Sequence, residues 1–495
     1  MPNPPRILLI YPEFPDTFWS FKHALKFIKR KSAYPPLGLL TVAAMLPKDW
    51  PCRLIDLNVT KLTEKELAWA DCALISAMAV QRESAGQTIA RCKQAGLTVI
   101  AGGPLFTAEH DRFGAVDHFV LNEAELTLPL FLEDFRAGRA RRVYSASGFC
   151  DIQKTPAPLW HLLDLKQYGG MGIQFSRGCP FNCEFCNVTV LFGHGSRMKK
   201  AEQVLEELDA LYALGWRGPV FFVDDNFIGN KRYLKTGLLP VLIQWRKGKK
   251  GMPFNTEASI NLADDPPLMA MMVEAGFDAV FIGIETPDES GLTECNKNQN
   301  KNRDLAEDVR KIQRAGLQVQ GGFIVGFDTD THSIFQRQMD FIQKSGIVTA
   351  MVGLLQAPTG TKLYDRLKKE GRLLGLMSGN TDGTTNIVTR MDFNVLREGY
   401  EDILRYLYSP KQYYQRMKTF LRQYHPPRIR VGMDMQRFLA FFRSGLHLGV
   451  FGAERFQYWR ILFWTLFHRP RLLSLTVTFA IYGYHFRKVS RLLSS

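Results

Sequence analysis

The sequence has no unbroken apolar run of the roughly 18 to 20 residues that cross a bilayer, so it carries no candidate spanning helix. Its start, Met1-Pro2-Asn3-Pro4-Pro5-Arg6, leads straight into a strand-like run with no signal-peptide pattern. Cysteine is scarce: eight in 495 residues, three clustered and the others scattered. That is no disulfide framework, and it points to a reduced, cytosolic setting. The ten histidines show no metal-ligand spacing and no Walker loop is present, so neither a histidine-built metal site nor a P-loop is indicated. Acids are nearly missing from the tail. From Arg405 onward 2 acids face 16 lysines and arginines, out of 48 and 63 in the whole chain. The first 404 residues therefore carry a net charge of +1, and the basicity of the chain belongs to its end.

What the sequence does hold is a thiol-rich loop. Gln174-Phe175-Ser176-Arg177-Gly178-Cys179-Pro180-Phe181-Asn182-Cys183-Glu184-Phe185-Cys186 places three cysteines at C-x3-C-x2-C spacing, directly after an apolar run (Met171 to Phe175) that reads as a strand. Thiolates are soft ligands that select iron–sulfur clusters, zinc or Cu(I). A structural zinc or an ordinary ferredoxin cluster takes four protein ligands, and the next cysteine, Cys295, lies over a hundred residues on. Three ligands on a four-iron cluster leave one iron open, as a catalytic zinc keeps a vacant position. Gly178 and Pro180 keep the chain out of a helix so that it can wrap a metal. Three structural cysteines, or part of a zinc site, are the competing readings.

Around this loop the chain alternates strand and helix signals. Apolar runs at Arg6–Tyr11, Arg53–Leu57, Cys72–Met78, Leu97–Ala101 and His118–Leu121, with helical segments such as Leu37–Leu46 and Glu83–Ala95 between them, imply a parallel sheet covered on both faces. Ligands of such folds bind at the carboxyl ends of the strands. Gly102 and Gly103, just past the fourth run, mark one such end, where backbone can approach a ligand closely. A connector lacking periodicity, with Pro156, Pro158 and Trp160, follows; it reads as a strap between domains or an ordinary linker. After Met171, runs at Pro219–Val223, Phe254–Ala258, Ala279–Ile284, Val319–Val325 and Thr349–Leu355 add five strands, separated by helical segments at Ala201–Leu214, Tyr233–Arg246, Pro266–Ala275, Lys301–Ala315 and Thr331–Lys344. Six units suggest a partial (β/α) barrel, whose working residues sit at the strand C-termini. Those ends are polar: Asp224, Asp225 and Asn226 end the second, Glu257 the third, Glu285 the fourth and Gly326-Phe327-Asp328 the fifth. Carboxylates there accept hydrogen bonds from an ammonium or a ribose diol, or else cap helices. Arg197 and Lys199 read as solvated loop charges, with a cofactor carboxylate as the alternative; Gln81-Arg82 could face a ligand.

The cysteine spacing, with Phe185 just before the last cysteine, resembles the radical S-adenosylmethionine (radical SAM) superfamily. The resemblance implies a 4Fe–4S cluster on Cys179, Cys183 and Cys186, whose open iron chelates S-adenosylmethionine and whose electron splits it to a 5′-deoxyadenosyl radical. It further implies that Asp224, Asp225 and Asn226 stand where the family has Gly-Gly-Glu near the methionyl amino group. Glu257 would join them among the cofactor-binding strand ends, Glu285 would lie near the amino acid or ribose, and Gly326 beside adenine. The first domain, with Tyr34-Pro35-Pro36-Leu37-Gly38-Leu39, Gly102-Gly103-Pro104 and Glu123-Ala124-Glu125, resembles a cobalamin-binding domain. It departs from those that ligate cobalt from below, because Asp56-Leu57-Asn58 offers no histidine, so cobalamin would bind without a protein ligand.

The order of domains follows: 1–140 Rossmann-like and cobalamin-binding, 141–168 linker, 169–375 partial (β/α)6 barrel, 376–495 basic and helical. With Phe222-Val223-Asp224-Asp225-Asn226-Phe227-Ile228-Gly229-Asn230, Val80-Gln81-Arg82 and Gly283-Ile284-Glu285-Thr286-Pro287, this α/β chain looks like the hopanoid C-2 methylase group. That implies a cobalamin-dependent methyltransferase acting on an unactivated carbon of a lipophilic, isoprenoid-like substrate, reduced by a flavodoxin- or ferredoxin-type donor. Ring formation or rearrangement without methyl transfer, or a non-enzymatic iron–sulfur protein, are the other classes. In the tail, Phe438–Phe442, Tyr458–Phe467 and Leu472–Tyr484 interleave large apolar side chains with arginine. This pattern fits helices lying on anionic lipid at the inner face of the membrane, or a cap packed on the barrel. Nucleic-acid binding, which arginine with aromatics also suits, is not expected.

Overall fold

The computed structural model describes residues 4–427 and 435–493. The first sheet has six parallel strands, β1 (Ile7–Tyr11), β2 (Cys52–Asp56), β3 (Cys72–Ser76), β4 (Thr98–Gly102), β5 (His118–Val120) and β6 (Val143–Tyr144), in the order β2-β1-β3-β4-β5-β6. Both faces are covered, which is why β1 is an unbroken aliphatic run. Leu8 and Ile10 enter one core, Ile7 and Leu9 the other.

The second sheet is β7 (Met171–Ile173), β10 (Val220–Phe222), β11 (Phe254–Glu257), β12 (Phe277–Glu285), β13 (Gln318–Val325) and β14 (Ala350–Leu354), all parallel in the order β14-β13-β12-β11-β10-β7. Alternation again decides the faces: Val280, Ile282 and Ile284 are fully buried against the surrounding helices, while Phe281 and Gly283 stay partly exposed on the other side. Between β7 and β10 a two-stranded antiparallel ribbon, β8 (Ser176–Arg177) with β9 (Arg197–Met198), closes the base of the cysteine loop. The eleven apolar runs all form strands; β6, β8 and β9 are two residues each, too short to show a period.

Two helices begin differently from the sequence pattern, each for a local reason. The segment at 231–246 contains a π turn, Leu234–Leu238, because Pro240 has no N–H to give the preceding turn. The helix at Leu305–Ala315 starts at the Asp304 cap, whose carboxylate accepts from Glu307 N at 2.9 Å, so 301–303 stay outside it. Beyond the barrel lie helices Phe393–Tyr408, Pro410–Gln423, Met435–Ser444, Arg455–His468 and Leu473–Leu493. The first two were not marked by the aromatic-rich segments. Among the described residues no helix is long and apolar enough to cross a membrane.

The end of the barrel opposite the polar strand termini is plugged by aromatic side chains from both chain ends. Trp19 lies 5.4 Å from the Phe281 ring, edge to face, and its Nε1 donates to Met351 Sδ at 2.6 Å. Phe18 stacks on Phe486 of the last helix, centroids 4.2 Å apart, and also meets Tyr408. Replacing Phe18 by alanine removes this buried ring without a substitute, and the expected loss is about 3–5 kcal/mol. It should appear as a lower urea midpoint monitored by tryptophan fluorescence; a midpoint within error of wild type would show that the plug is not a structural anchor.

Candidate active site

The cysteine loop is held by its backbone rather than by its thiols. Gly178 sits at φ 92°, and a Cβ there would meet Gly195 O at 2.5 Å, so only glycine fits the turn into Cys179. Asp225 at the end of β10 accepts from Gly178 N at 2.9 Å. Asp224 is buried and accepts from Phe175 N, Ser176 N and Ser176 Oγ. Burial pushes its carboxyl up to about 7 against those hydrogen bonds. Further along, Glu184 N donates to Cys295 O at 2.9 Å, and the Glu184 carboxylate takes a two-pronged contact from Arg366 at 2.8 and 3.1 Å. Cys295 is thus a spatial neighbour of the loop, but its own Sγ turns to Leu292 O.

Cys179, Cys183 and Cys186 are half-buried free thiols close enough to perturb one another. Burial raises Cys179 and pushes Cys186 up to about 12. Neutral thiols are favoured until a metal supplies compensating charge. Two donors stand beside them. Gln299 Nε2 lies 3.7 Å from Cys183 Sγ, and the buried Lys297 ammonium couples electrostatically to all three thiols and to Cys295. A soft trio with an amide and a cation alongside fits an anionic thiolate cluster. Among the described residues no three histidine, cysteine or acidic side chains converge on a single-ion site.

The strand ends add a second cluster. Glu285 terminates β12 at φ 64°, beside a register shift in the pairing with β13. Its carboxylate is 2.5 Å from Lys297 Nζ, and a Cβ on Gly283 would fall 2.2 Å from Glu285 Oε1 and 2.7 Å from Lys297 Nζ. Gly283 is therefore glycine to make room for this pair. Burial would lower Lys297, but the Glu285 and Cys183 charges hold it above its usual value. Asn300 Nδ2 caps Gly283 O and Ile284 O at 3.1 and 3.0 Å, and Gln338 Nε2 reaches Glu285 O at 3.2 Å. Glu257 is half-buried with no hydrogen-bond partner among the described residues; burial, then Asp225 and Asp224, push it up to about 8. That is an acceptor set aside for a cation or hydroxyl that the protein does not itself provide. Asn226 instead ties β10 to β11, its Oδ1 accepting from Ser259 N at 3.1 Å. Gly326, at φ 104°, donates its N–H to Asp330 at 2.8 Å. Phe185 packs in the same apolar group as Phe327, Leu355 and Ala357, beside that turn.

The acidic turn after β5 meets the base of the cysteine loop. Glu123 accepts from Arg177 at 2.9 Å and from Arg197 at 2.9 and 3.1 Å, and Glu125 accepts from Arg177 at 2.7 Å and Thr155 Oγ1 at 2.7 Å. Arg197 and Lys199 are thus not solvated: Arg197 is spent on Glu123 and Cys150 O, and buried Lys199 pairs with Glu207. Arg82 does not face a ligand either, being paired with Glu109 at 2.6 and 2.8 Å, while buried Gln81 donates to Pro12 O. Gly102 and Gly103 approach protein: added Cβ atoms would meet Val120 O at 2.6 Å and Ser76 Oγ at 2.4 Å. At the carboxyl edge of this sheet Met78 is half exposed. Asp56 is closed off by Asn58 N and Nδ2 at 2.9 and 2.7 Å and by Tyr168 Oη at 3.0 Å, so the Asp56 carboxylate is committed within the protein. The segment Asp56-Leu57-Asn58 has no histidine, so a cobalamin bound at this edge would be held without a histidine from it.

Along the sequence, the radical SAM superfamily pattern matches residues 173–342, a B12 binding domain matches 26–132, and a domain of unknown function (DUF4070) matches 361–495. The hopanoid C-2 methylase of Rhodopseudomonas palustris is 33% identical over 92% of this chain and 88% of its own length. This chain belongs to the cobalamin-binding radical SAM methyltransferases. A Synechocystis protein named as an uncharacterized methyltransferase, sll1242, is 41% identical over 97% of the chain and 91% of its own length. In fold, this methyltransferase resembles the cobalamin-dependent radical SAM enzyme OxsB with aqua-cobalamin bound (TM-score 0.61, 14% identity, 99% of this chain and 80% of that one). It also resembles TsrM from Kitasatospora setae with cobalamin and a [4Fe-4S] cluster (TM-score 0.60, 13% identity, 99% and 100%). The protein is an enzyme, and the cofactors of its family are a 4Fe–4S cluster, S-adenosylmethionine and cobalamin.

Sequence reasoning missed Lys297, Gln299 and Asn300. The signal was the run Asn296-Lys297-Asn298-Gln299-Asn300-Lys301-Asn302, whose asparagines 296 and 302 take positive φ in the manner typical of a folded-back loop. It also missed the Arg177 bridge. Arg177→Gln should cost about 3–5 kcal/mol by leaving Glu123 and Glu125 short of a buried cation. Burial alone would raise Glu125, but Arg177 holds it below its usual value. Its stabilisation is therefore complete above about pH 4.3, the unfolded value, and is lost as pH falls through the lowered folded value. Urea midpoints followed from neutral to acid pH should show a steeper acid decline in wild type than in Arg177→Gln; parallel curves would mean the bridge is not coupled to folding.

Proposed function

We propose that Cys179, Cys183 and Cys186 hold the cluster, and that the enzyme methylates an unactivated carbon of a lipophilic, hopanoid- or isoprenoid-like substrate. The observation that carries the substrate class is the near full-length identity to a hopanoid C-2 methylase, which extends beyond the cofactor domains into the apolar tail. When bound, cluster and S-adenosylmethionine supply a hydrogen-abstracting radical, and cobalamin supplies the methyl group.

The chain's own part is binding, orientation and exclusion of water. Gly178 N, Phe175 N and Ser176 N, fixed by Asp225 and Asp224, set the path of the loop that presents the thiols. Gln299 and Lys297 offset the negative charge there. Glu257, whose carboxyl has no hydrogen-bond partner among the described residues, is the acceptor for the methionyl ammonium; Glu285, oriented by Lys297, serves the amino acid or ribose end. Phe185 and Gly326 shape the apolar slot beside them for adenine. Gly102 and Gly103 let β4 end close against β3 and β5, at the sheet edge where the cobalamin would lie. A reductant of flavodoxin or ferredoxin type would deliver the electron. A substrate of this class resides in membrane, so the enzyme works as a peripheral protein at the inner face.

Anaerobically reconstituted protein should contain about four irons per chain and should transfer a deuterated methyl group from labelled S-adenosylmethionine to a hopene-type lipid, read as the product's mass increase. An unmethylated, rearranged product would overturn the transfer reading. Cys179→Ala, Cys183→Ala or Cys186→Ala should each abolish the visible absorbance of the cluster and release of 5′-deoxyadenosine together. Glu257→Gln should leave the iron content unchanged and weaken S-adenosylmethionine binding at least tenfold, measured by equilibrium dialysis; unchanged affinity would remove Glu257 from the site.

A further inference from the structure

The tail carries a surface that the fold leaves bare. Helix Met435–Ser444 runs on into a π turn, Gly445–Val450, and exposes Phe438, Phe442, Leu446 and Val450 at four-residue spacing. Helix Arg455–His468 exposes Phe456, Trp459, Phe463 and Phe467 at intervals of three and four. At the turn between the two helices Phe451 is 76% exposed, and Phe456 and Phe467 are 73% and 78% exposed, values at which a large apolar side chain has almost no protein neighbours.

This is not a loosely packed end. The opposite face of the second helix, Tyr458, Ile461, Leu462 and Thr465, is buried; Thr465 meets Thr476 of the last helix, and Tyr458 Oη meets Ser444 Oγ at 2.9 Å. Trp459 Nε1 donates to Gly449 O at 2.9 Å and locks the two arms together. The exposed rings contact each other within each arm, Phe438 with Phe442 at 4.8 Å and Trp459 with Phe463 at 5.7 Å, so each arm carries a bare apolar stripe. A helix apolar on both faces is buried on both or meets lipid, and a patch of this extent marks an interaction site.

Charge selects the occupant. Between Met435 and Leu493 the only acid is Glu454, and it is buried and paired with Arg487. Arg455, Arg460 and Arg471 are exposed around the patch, and the Arg455 guanidinium stands 5.0 Å from the Phe456 ring. A second copy of so basic a surface would be repelled, and a nucleic acid, which stacks its bases on aromatic rings along a basic groove, has no use for the aliphatic part of the surface, Leu446 and Val450. Bare aromatic side chains flanked by arginines, with no exposed carboxylate among the described residues from Met435 onward, are complementary to an anionic bilayer surface, apolar within and negative at the headgroups.

We propose that the 435–468 hairpin is a monotopic membrane anchor, its two aromatic stripes sunk into the headgroup–acyl boundary of anionic lipid. The proposal rests on the peripheral, lipid-substrate reading above and names the element that makes the contact.

Full-length holoenzyme should float with phosphatidylcholine–phosphatidylglycerol vesicles and not with phosphatidylcholine alone, and added salt should weaken the binding. Phe456→Ser, Phe463→Ser and Phe467→Ser combined should reduce binding at least tenfold, with cluster absorbance and thermal midpoint unchanged, because these side chains touch little protein. Should that variant misfold, hydrogen exchange on wild type decides: amides within 435–468 should gain protection when anionic vesicles are added. Flotation of the folded variant equal to wild type, or protection elsewhere with none in the hairpin, overturns the anchor and leaves the peripheral reading standing. Absence of flotation by wild type overturns both membrane statements but not methyl transfer, which is assayed with detergent-dispersed lipid. A wild-type dimer that the triple substitution converts to monomer, without vesicle binding, would assign the patch to a second copy.

Discussion

The structure turns on one buried cation. Arg177 lies two residues before Cys179, and its guanidinium is shared between Glu123 and Glu125 of the first sheet's last long turn. The loop that carries the thiols is thereby bolted to the carboxyl edge of the other parallel sheet. A network so deeply buried gains little net stability, since desolvation of the charges offsets most of their attraction. What it supplies is register: breaking the set strands an acid in low dielectric, so alternative placements of the two sheets are strongly disfavoured. Both sheets are parallel, both therefore present their ligand-binding edges as strand C-termini, and the Arg177 bridge brings one such edge to the other. That juxtaposition is what a reaction using two cofactors and one substrate requires.

Inside the barrel the same logic is repeated on a smaller scale. Glu285 is a non-glycine residue held at φ 64°, a conformation that costs on the order of 1–3 kcal/mol. Lys297 fixes its carboxylate, Gln338 holds its carbonyl, and Asn300 holds the carbonyls of the two residues before it. The strain is maintained by neighbours that over-determine it. The side chain is consequently set in place before any ligand arrives, so binding energy need not be used to order it. Glu257 is the counterpart, an acceptor with no donor among the described residues, and its burial makes it selective for a positively charged or hydroxyl-bearing guest.

Much of this was readable from the chain, for identifiable reasons. Parallel strands buried on both faces become continuous aliphatic runs, so β1, β3 and β12 announce themselves. A soft-ligand loop is local, and Cys179, Cys183 and Cys186 lie within eight residues. The failures are contacts between residues far apart. Arg197 lies 74 residues from Glu123 and looked like a solvated loop charge, yet it is committed to that acid. Asp224 looked like a ligand-facing acid, and three donors from the thiol loop occupy it. The glycines at 102 and 103 suggested ligand approach, whereas strands β3 and β5 already fill the space a Cβ would need. Local chemistry specifies which groups are present; only the fold determines how many of their valences remain free.

The ends of the chain were the least legible part because they have no meaning separately. Phe18 and Trp19 precede the first helical segment marked in the sequence, and Phe486 lies just past the aromatic-rich stretch Leu472–Tyr484. Together they seal the barrel end away from the cysteine loop. Sealing that end leaves the strand C-termini, facing the first domain, as the open side of the barrel. The last helix is tied inward by Tyr413 Oη on Phe479 O and His485 Nε2 on Phe18 O, and it also holds the hairpin through Thr476 and Arg487. Apolar surface not needed for that closure is displaced onto the preceding hairpin, where no described residue covers it. An apolar excess that the fold has arranged in two stripes, with its single acid neutralised internally, is not leftover core: it is the part of the hydrophobic pattern that the described residues do not satisfy.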